Sequence, residues 1–309
     1  MNLRENFSQS AKSVFLRAIR CYTFYTPISK GKYRAFLTAL SVFKTLPDGL
    51  EVETTDARKL SVDLSTGLQS TVFFFGEYES AITHIAETII SRNQCKHFLD
   101  VGANFGWYTT LFYKHARPDG SVHSFEPVPS IFDNLLRNFD LMGRPANVKI
   151  NRVALGDKED NLKINLFRGL STGHASLSDH GRNDAVEFDC HMISLDSYLE
   201  QNSVSRIDFV KVDIEGAELM FLKGAKQLFR QEIPPIILME MALNQTKNFG
   251  YLPNDLIELI CGHGDYEFYK IDESRIKLVM IDSFDPDDIG ANVICIPTEL
   301  AANSVAGLT

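Results

Sequence analysis

The stretch FLDVGANFGWYTTLF at residues 98–112 constrains the fold most. An apolar run, a glycine-containing turn and an amphipathic continuation predict a buried strand that passes through a tight turn into a helix. The alternation then continues along the chain. Apolar runs at 98–101, 122–125, 148–153, 207–212, 236–239 and 266–271 predict strands, and segments at 107–116, 130–142, 219–230 and 254–261 predict helices between most of them. Short buried strands alternating with helices imply an α/β fold whose parallel sheet is covered on both faces. A last apolar run at 293–296 is expected as an edge strand, and the tail AANSVAGLT as disordered.

Outside this alternation the chain reads differently. Residues 11–22 place Ala11, Val14, Phe15, Ala18, Ile19 and Tyr22 on one helical face, and a second helix is expected over 32–44. LEVET and KLSVDLS predict short strands, and TVFFFGEYES another that ends at Gly76. Between Asp157 and Asp196 the pattern predicts hairpin-like strands around LSTGHASLSDHG, beside the carboxyl ends of the main strands. The expected organisation is an N-terminal basic helical and short-strand segment over 1–79, a main domain over 80–298 with an insertion at about 157–195, and a flexible tail over 299–309.

Charge sharpens that division. The net charge is −9, yet residues 1–46 carry eight Lys or Arg against Glu5, which leaves the remaining chain with 23 basic and 39 acidic residues. So acidic a body is a poor nucleic-acid binder. The basic, partly apolar N-terminal helix has the composition either of a helix packed on the main domain or of one lying peripherally on a membrane. No apolar run approaches the roughly 18 residues of a membrane span, and no secretory leader is evident, so a cytoplasmic setting is expected, with a membrane-peripheral one as the alternative. Five scattered cysteines without a CxxC pair fit reduced thiols and no zinc site.

The first loop carries the chemistry. Gly102 and Gly106 allow a close backbone approach, and Asn104 is the non-glycine residue type that best tolerates the left-handed turn. Asp100 ends the strand just before them. A carboxylate there repels a pyrophosphate, by about 1 kcal/mol at 4 Å even in bulk water. It suits instead the ammonium of S-adenosylmethionine, whose carboxylate suits the helix N-terminus. The plainer reading makes Asp100 a cap for the turn or helix. Glu126, about twenty residues past Gly106 in VHSFEP, sits where an acid grips a ribose diol, a feature that NAD would share.

Five ordered motifs, FLDVGANFGWYTTLF, SVHSFEPVPSIFDNLLRN, VALGD, FVKVDIEGAELMFLKGA and ILMEM, together resemble the FkbM-type methyltransferases of the Rossmann-like class I S-adenosylmethionine-dependent group. The resemblance covers about residues 76–269 and implies methyl transfer, usually to a hydroxyl on a sugar or natural product. It implies that Asp100, Gly102, Asn104 and Gly106 form the methionine-side loop, that Glu126 binds ribose, and that Ala154 and Leu155 flank the adenine. FGEYES resembles the family's lead-in segment, which implies that Glu79 reaches the methionine ammonium. His123 and Ser124 depart from the more apolar residues common in that strand.

On the acceptor side, VKVDIEGAE places Asp213 and Glu215 at a strand's carboxyl end, where close carboxylates raise one another's pKa and one can serve as base. Asp213 also suits a nearby sulfonium. Glu218 is expected to complement a helix dipole, Glu240 is a further strand-end acid, and His174 and His191 are alternative bases. Lys211 reads as structural, and no motif implies a metal. The expectation is an S-adenosylmethionine-dependent O-methyltransferase with a glycan or small-molecule acceptor. The alternatives are a NAD-dependent oxidoreductase on the same fold and a non-catalytic carbohydrate- or membrane-binding module.

Overall fold

The structure is a computed structural model that describes residues 9–27, 30–42, 48–116, 118–167, 175–176, 185–285 and 288–309. The described residues form two compact units, one up to Tyr78 and one from Glu79.

The first unit contains α1 (Gln9–Arg20), continued by a π-turn at Cys21–Tyr25, then α2 (Lys32–Val42), β1 (Leu50–Glu53), β2 (Lys59–Val62) and α3 (Gly67–Phe75). β1 and β2 pair antiparallel, as their alternation predicts. α3 corrects the strand expected in TVFFF. The Thr66 side chain accepts from the Gln69 N–H and starts a helix that ends at Gly76. Its apolar run is compatible with either element, and the cap decides for helix. The buried face of α1 also differs from the expected one. Leu16 and Thr23 point inward, while Val14 is 69% exposed. Arg20 donates to the Phe73 carbonyl and, at 2.7 Å, to the Glu53 carbonyl, and the Thr23 hydroxyl donates to the Phe74 carbonyl. The last carbonyls of α3 lack partners within their own helix, so they draw the polar side of α1 inward.

The second unit opens with α4 (Ser80–Arg92), β3 (His97–Val101), α5 (Trp107–His115), β4 (Ser121–Phe125), α6 (Pro129–Leu141) and β5 (Val148–Asn151). Among the described residues, four strands follow in a separate small sheet, β6 (Ala154–Gly156), β7 (Asp160–Phe167), β8 (Ala175–Ser176) and β9 (Ala185–Ser194). β7 and β9 pair antiparallel, which realises the expected hairpin. The chain continues through α7 (Leu195–Gln201), β10 (Phe209–Val212), α8 (Glu218–Lys223), β11 (Ile236–Ala242), α9 (Leu243–Thr246), α10 (Pro253–Cys261), β12 (Tyr266–Asp272), β13 (Lys277–Ile281), β14 (Gly290–Pro297) and α11 (Thr298–Val305). α8 stops well short of the helix predicted to Arg230, and a separate 3-10 turn covers Leu228–Arg230.

Among the described residues, eight strands make the main sheet, in the order β13-β12-β14-β11-β10-β3-β4-β5. β5, β4, β3, β10 and β11 run parallel. β14 is antiparallel to both β11 and β12, so β12 points the same way as the parallel set. The run at 293–296 is therefore an inner strand, not the expected edge, and all four of its residues are fully buried. β13, which alternation alone does not reveal, forms that edge. The tail is also ordered. Arg92 donates to the Ser304 carbonyl and Asn93 to the Ser304 hydroxyl, both at 2.8 Å, and Leu308 is buried. Small residues such as Ala301 and Ser304 look featureless in sequence, yet they permit close packing of α11.

Register brings Asp100, Lys211 and Ser124 onto one face. Asp100 pairs with Lys211 on one side and Ser124 on the other, and Lys211 pairs with Leu238. α5 covers this face, with Phe112 stacked on Phe98 at 4.9 Å. The opposite face, with Leu99, Val101, Val210, Val212, Ile237 and Met239, belongs to the larger apolar core with residues of α7, α8 and α10.

Candidate functional site

The turn after β3 holds Gly102, Asn104 and Gly106 all at positive φ, 83°, 51° and 93°. A Cβ at Gly102 would lie 1.9 Å from the Asp213 carbonyl oxygen, so only glycine lets this loop touch the loop after β10. Asn104 takes the left-handed turn as expected, and its side-chain oxygen accepts from the Phe105 N–H at 2.8 Å. Gly102 and Ala103 donate to the Phe125 carbonyl at 3.0 and 2.9 Å, which locks the turn to the end of β4.

Two buried acids flank this turn. Glu126 accepts from the Asn104 N–H at 3.0 Å and from the Val128 N–H at 2.9 Å, which braces both loops. Burial outweighs these bonds and pushes its pKa up to about 7. Asp100 is also buried. The Thr109 hydroxyl lies 2.6 Å from Asp100 and 2.8 Å from the Ser124 hydroxyl. With one proton to give, Thr109 donates to the carboxylate and accepts from Ser124. Burial raises the Asp100 pKa to about 6. The Asp100 carboxylate thus anchors the first turn of α5 beneath the loop, close to the plainer of its two sequence readings. Ser124 and His123, the residues that depart from the family pattern, are satisfied: the His123 ring meets the Tyr198 hydroxyl at 2.9 Å.

A second cluster forms at the ends of β10 and β11. Lys211 is only 2% exposed and pairs with Asp213 at 3.2 Å. Its ammonium lies 5.3 Å from the Tyr108 ring, whose hydroxyl donates to Glu79 at 2.8 Å. Burial works against this charge, but Asp213, Glu79 and Glu240 outweigh it and raise the Lys211 pKa. The Gln245 side-chain amide bridges Glu215 at 2.6 Å and Glu240 at 3.1 Å. Burial, then Asp213 and Glu215, push Glu240 up to about 8. One buried cation thus faces several carboxylates, an arrangement that favours a cationic ligand. Glu218 does more than complement a helix dipole: it accepts from the Ile214 and Gly216 N–H groups and the Tyr251 hydroxyl, which clamps the turn.

Beyond Glu240 opens a cleft of about 1000 Å³ bordered by Asn292, Lys247, Lys270, Asp288 and Ile289. Asn292 stands opposite Glu240 in register. The Asn292 side-chain oxygen and the Gln245 Oε1 are buried and have no hydrogen-bond partner among the described residues.

The expected site residues thus divide. Gly102, Asn104, Gly106 and Glu126 gather around one turn, while Glu79, Asp213, Glu215 and Glu240 gather around Lys211 and Gln245. Ala154 packs in a small cluster with Val128, next to Glu126, whereas Leu155 belongs to the larger core with Phe125. His191 sits on β9, 3.3 Å from Asn161 and near Glu159, apart from the carboxylates. His174 lies outside the described residues. Lys211, Tyr108, Gln245 and Asn292 were not picked out as site residues by sequence reasoning. Lys211 carried the one usable signal, a charged residue between Val210 and Val212 in a buried strand. Among the described residues no three His, Cys, Asp or Glu side chains are grouped to hold a metal ion.

A mostly parallel sheet with one inner antiparallel strand, a glycine loop after the central strand and an acid after the next define a Rossmann-like class I methyltransferase domain. The model of the methyltransferase FkbM domain matches residues 100–268, more than half of the chain, and the chain belongs to that family. Methyltransferase sdnD of Sordaria araneosa is 29% identical over 178 residues, 48% of this chain and 68% of that protein. Hexuronic acid methyltransferase AglP of Haloferax volcanii is 31% identical over 125 residues, and the match spans 40% of this chain and about half (48%) of AglP. The crystal structure of methyltransferase FkbM from Methylobacillus flagellatus KT aligns with a TM-score of 0.40 at 15% identity, over 65% of this chain and 44% of that one.

Proposed function

We propose that this chain is an S-adenosylmethionine-dependent O-methyltransferase acting on a hydroxyl of a sugar or comparable polyhydroxy molecule. One observation carries the reading: the glycine loop and the carboxylate cluster meet where Gly102 abuts the Asp213 carbonyl. The loop at Gly102, Asn104 and Gly106, the N-terminus of α5 and Glu126 suit an amino-acid carboxylate and a ribose diol. Glu79 and Asp213 suit an ammonium, with Ala154 and Leu155 on the adenine side. When bound, S-adenosylmethionine would supply an electrophilic methyl, with the thioether of S-adenosylhomocysteine as the leaving group.

The chain's own task is alignment and proton transfer. Asp213 holds positive charge near the reacting centre, and Glu215 and Glu240, joined through Gln245, are placed to take the hydroxyl proton. A carboxyl pushed up to about 8 is a stronger base than an ordinary carboxylate, with a pKa near the working pH. In the cleft beyond Glu240, Lys247, Lys270 and Asn292 are side chains that can bond the hydroxyls of an acceptor, and the name of AglP, a hexuronic acid methyltransferase, supports a sugar.

Calorimetry with S-adenosylhomocysteine against NAD, followed by labelled methyl transfer across a glycan panel, tests the proposal. Binding of S-adenosylhomocysteine with turnover on at least one glycan is expected. Glu126→Ala should weaken that binding by about 1.5–3 kcal/mol. Binding without turnover on any acceptor would leave only a binding module, and preference for NAD would end the reading.

A further inference from the structure

The first unit carries a surface that the catalytic reading does not use. Residues 9–42, which span α1 and α2, contain six Lys or Arg and no acidic residue, while the rest of the chain holds 25 basic and 40 acidic residues. Exposed positions on α1 and its π-turn recur at Val14, Ala18, Cys21 and Tyr25, a spacing of four, three and four that draws one stripe along the helix. On α2, Tyr33 and Leu37 stand four apart on the exposed side. Val14 and Tyr25 are each 69% exposed, Tyr33 65% and Leu37 46%. The inner sides are taken up by α3. Arg20 and Thr23 bond to its last carbonyls, and the Phe36 ring meets Phe74 and Phe75 at 5.5 Å. Both apolar stripes therefore face away from α3. Exposed Arg17, Lys30 and Arg34 lie among them.

We propose that this outer face of α1 and α2 docks on an anionic lipid bilayer. Charge selects the occupant. A protein of net charge −9 is repelled by an anionic surface except through a region of opposite sign, and residues 9–42 are that region. The apolar content fits shallow insertion: Val14 and Leu37 enter the acyl boundary, Tyr25 and Tyr33 sit at headgroup level, and the basic side chains meet lipid phosphates and carboxylates. The attachment is peripheral, because among the described residues no helix is long and apolar enough to cross a membrane. Such docking would bring the site to acceptors held at a membrane surface. The attachment itself does not depend on the methyl-transfer reading.

The test is co-sedimentation of the full chain with phosphatidylcholine vesicles with and without phosphatidylserine. Binding is expected only with phosphatidylserine and should weaken as salt is raised. Each basic residue near an anionic leaflet contributes about 1 kcal/mol, about fivefold in partitioning, so Arg17→Glu/Arg34→Glu should lower it at least about 25-fold. Val14→Asp/Leu37→Asp should lower it more than about tenfold. Both variants change exposed positions of the first unit that are not among the site residues, so circular dichroism and S-adenosylhomocysteine binding should match the parent. Equal partitioning onto both vesicle types, or wild-type partitioning by both folded variants, overturns the proposal. A chain that ignores vesicles but forms a dimer dispersed by Val14→Asp/Leu37→Asp would also overturn it, and would assign the face to a second copy.

Discussion

The glycine loop after β3 and the carboxylate cluster after β10 and β11 are neighbours built in different ways. The loop is held largely by backbone: its amides bond to Phe125 and Glu126, its conformation comes from three residues at positive φ, and its parts span about 25 positions of sequence. The cluster is held by side chains. It draws Glu79, Tyr108, Lys211, Asp213, Glu215, Glu240 and Gln245 from four separate stretches, and its members shift one another's protonation. A backbone cradle tolerates little steric change. A side-chain cluster keeps its shape only while its charges balance.

Gly102→Val should break the comparison most severely. A side chain at positive φ, directed at the Asp213 backbone, has no room on either side. A loss of more than about 4 kcal/mol of stability is expected in chemical denaturation, with no soluble cofactor binding left. A folded, binding-competent Gly102→Val would show that the two loops do not need to touch.

Asp213→Asn keeps the shape and removes the charge. Turnover should fall about 10²–10³-fold, the effect of losing a group that stabilises charge at the reacting centre, and by more than S-adenosylhomocysteine affinity falls. Equal losses in both would place Asp213 in binding alone. Lys211→Met should cost about 3 kcal/mol of stability, because it leaves Asp213 and its acidic neighbours without their buried cation. Near-neutral behaviour would mean that the carboxylates are already protonated in the folded protein.

The pH dependence of stability sharpens the same contrast. Burial raises Glu218 from 4.5 to about 7, so between those values the folded protein binds more protons than the unfolded one. The stability from this group is fully present below about 4.5 and is lost as pH rises to about 7. Asp100 and Glu126 act in the same direction. Glu218→Gln should remove a contribution on the order of 3 kcal/mol and flatten the slope of urea-melt stability between pH 5 and 7. An unchanged slope would assign it to other carboxyls.

Much of the first region was legible in the sequence, because its determinants are local. An apolar run followed by Gly102, Asn104 and Gly106, then an acid after the next strand, encodes its own geometry through allowed backbone angles and strand length. Predicted strands and most helices of the second unit followed from periodicity for the same reason. The failures share another cause. TVFFF became a helix through the cap at Thr66, the run at 293–296 became an inner strand because β13 and β12 complete the sheet beyond it, and the small residues of the tail found a close fit against α4.

Sequence by itself determined most strands and helices of the second unit, the cradle and the charge segregation of residues 9–42, since each depends on neighbours within a few positions. Only the tertiary structure decided that Lys211 neutralises a carboxylate cluster, that Gln245 joins Glu215 to Glu240, and that α1 turns Leu16 and Arg20 inward while Val14 faces out. Those outcomes depend on strand register and on which distant carbonyls lack a partner, quantities that no local pattern contains.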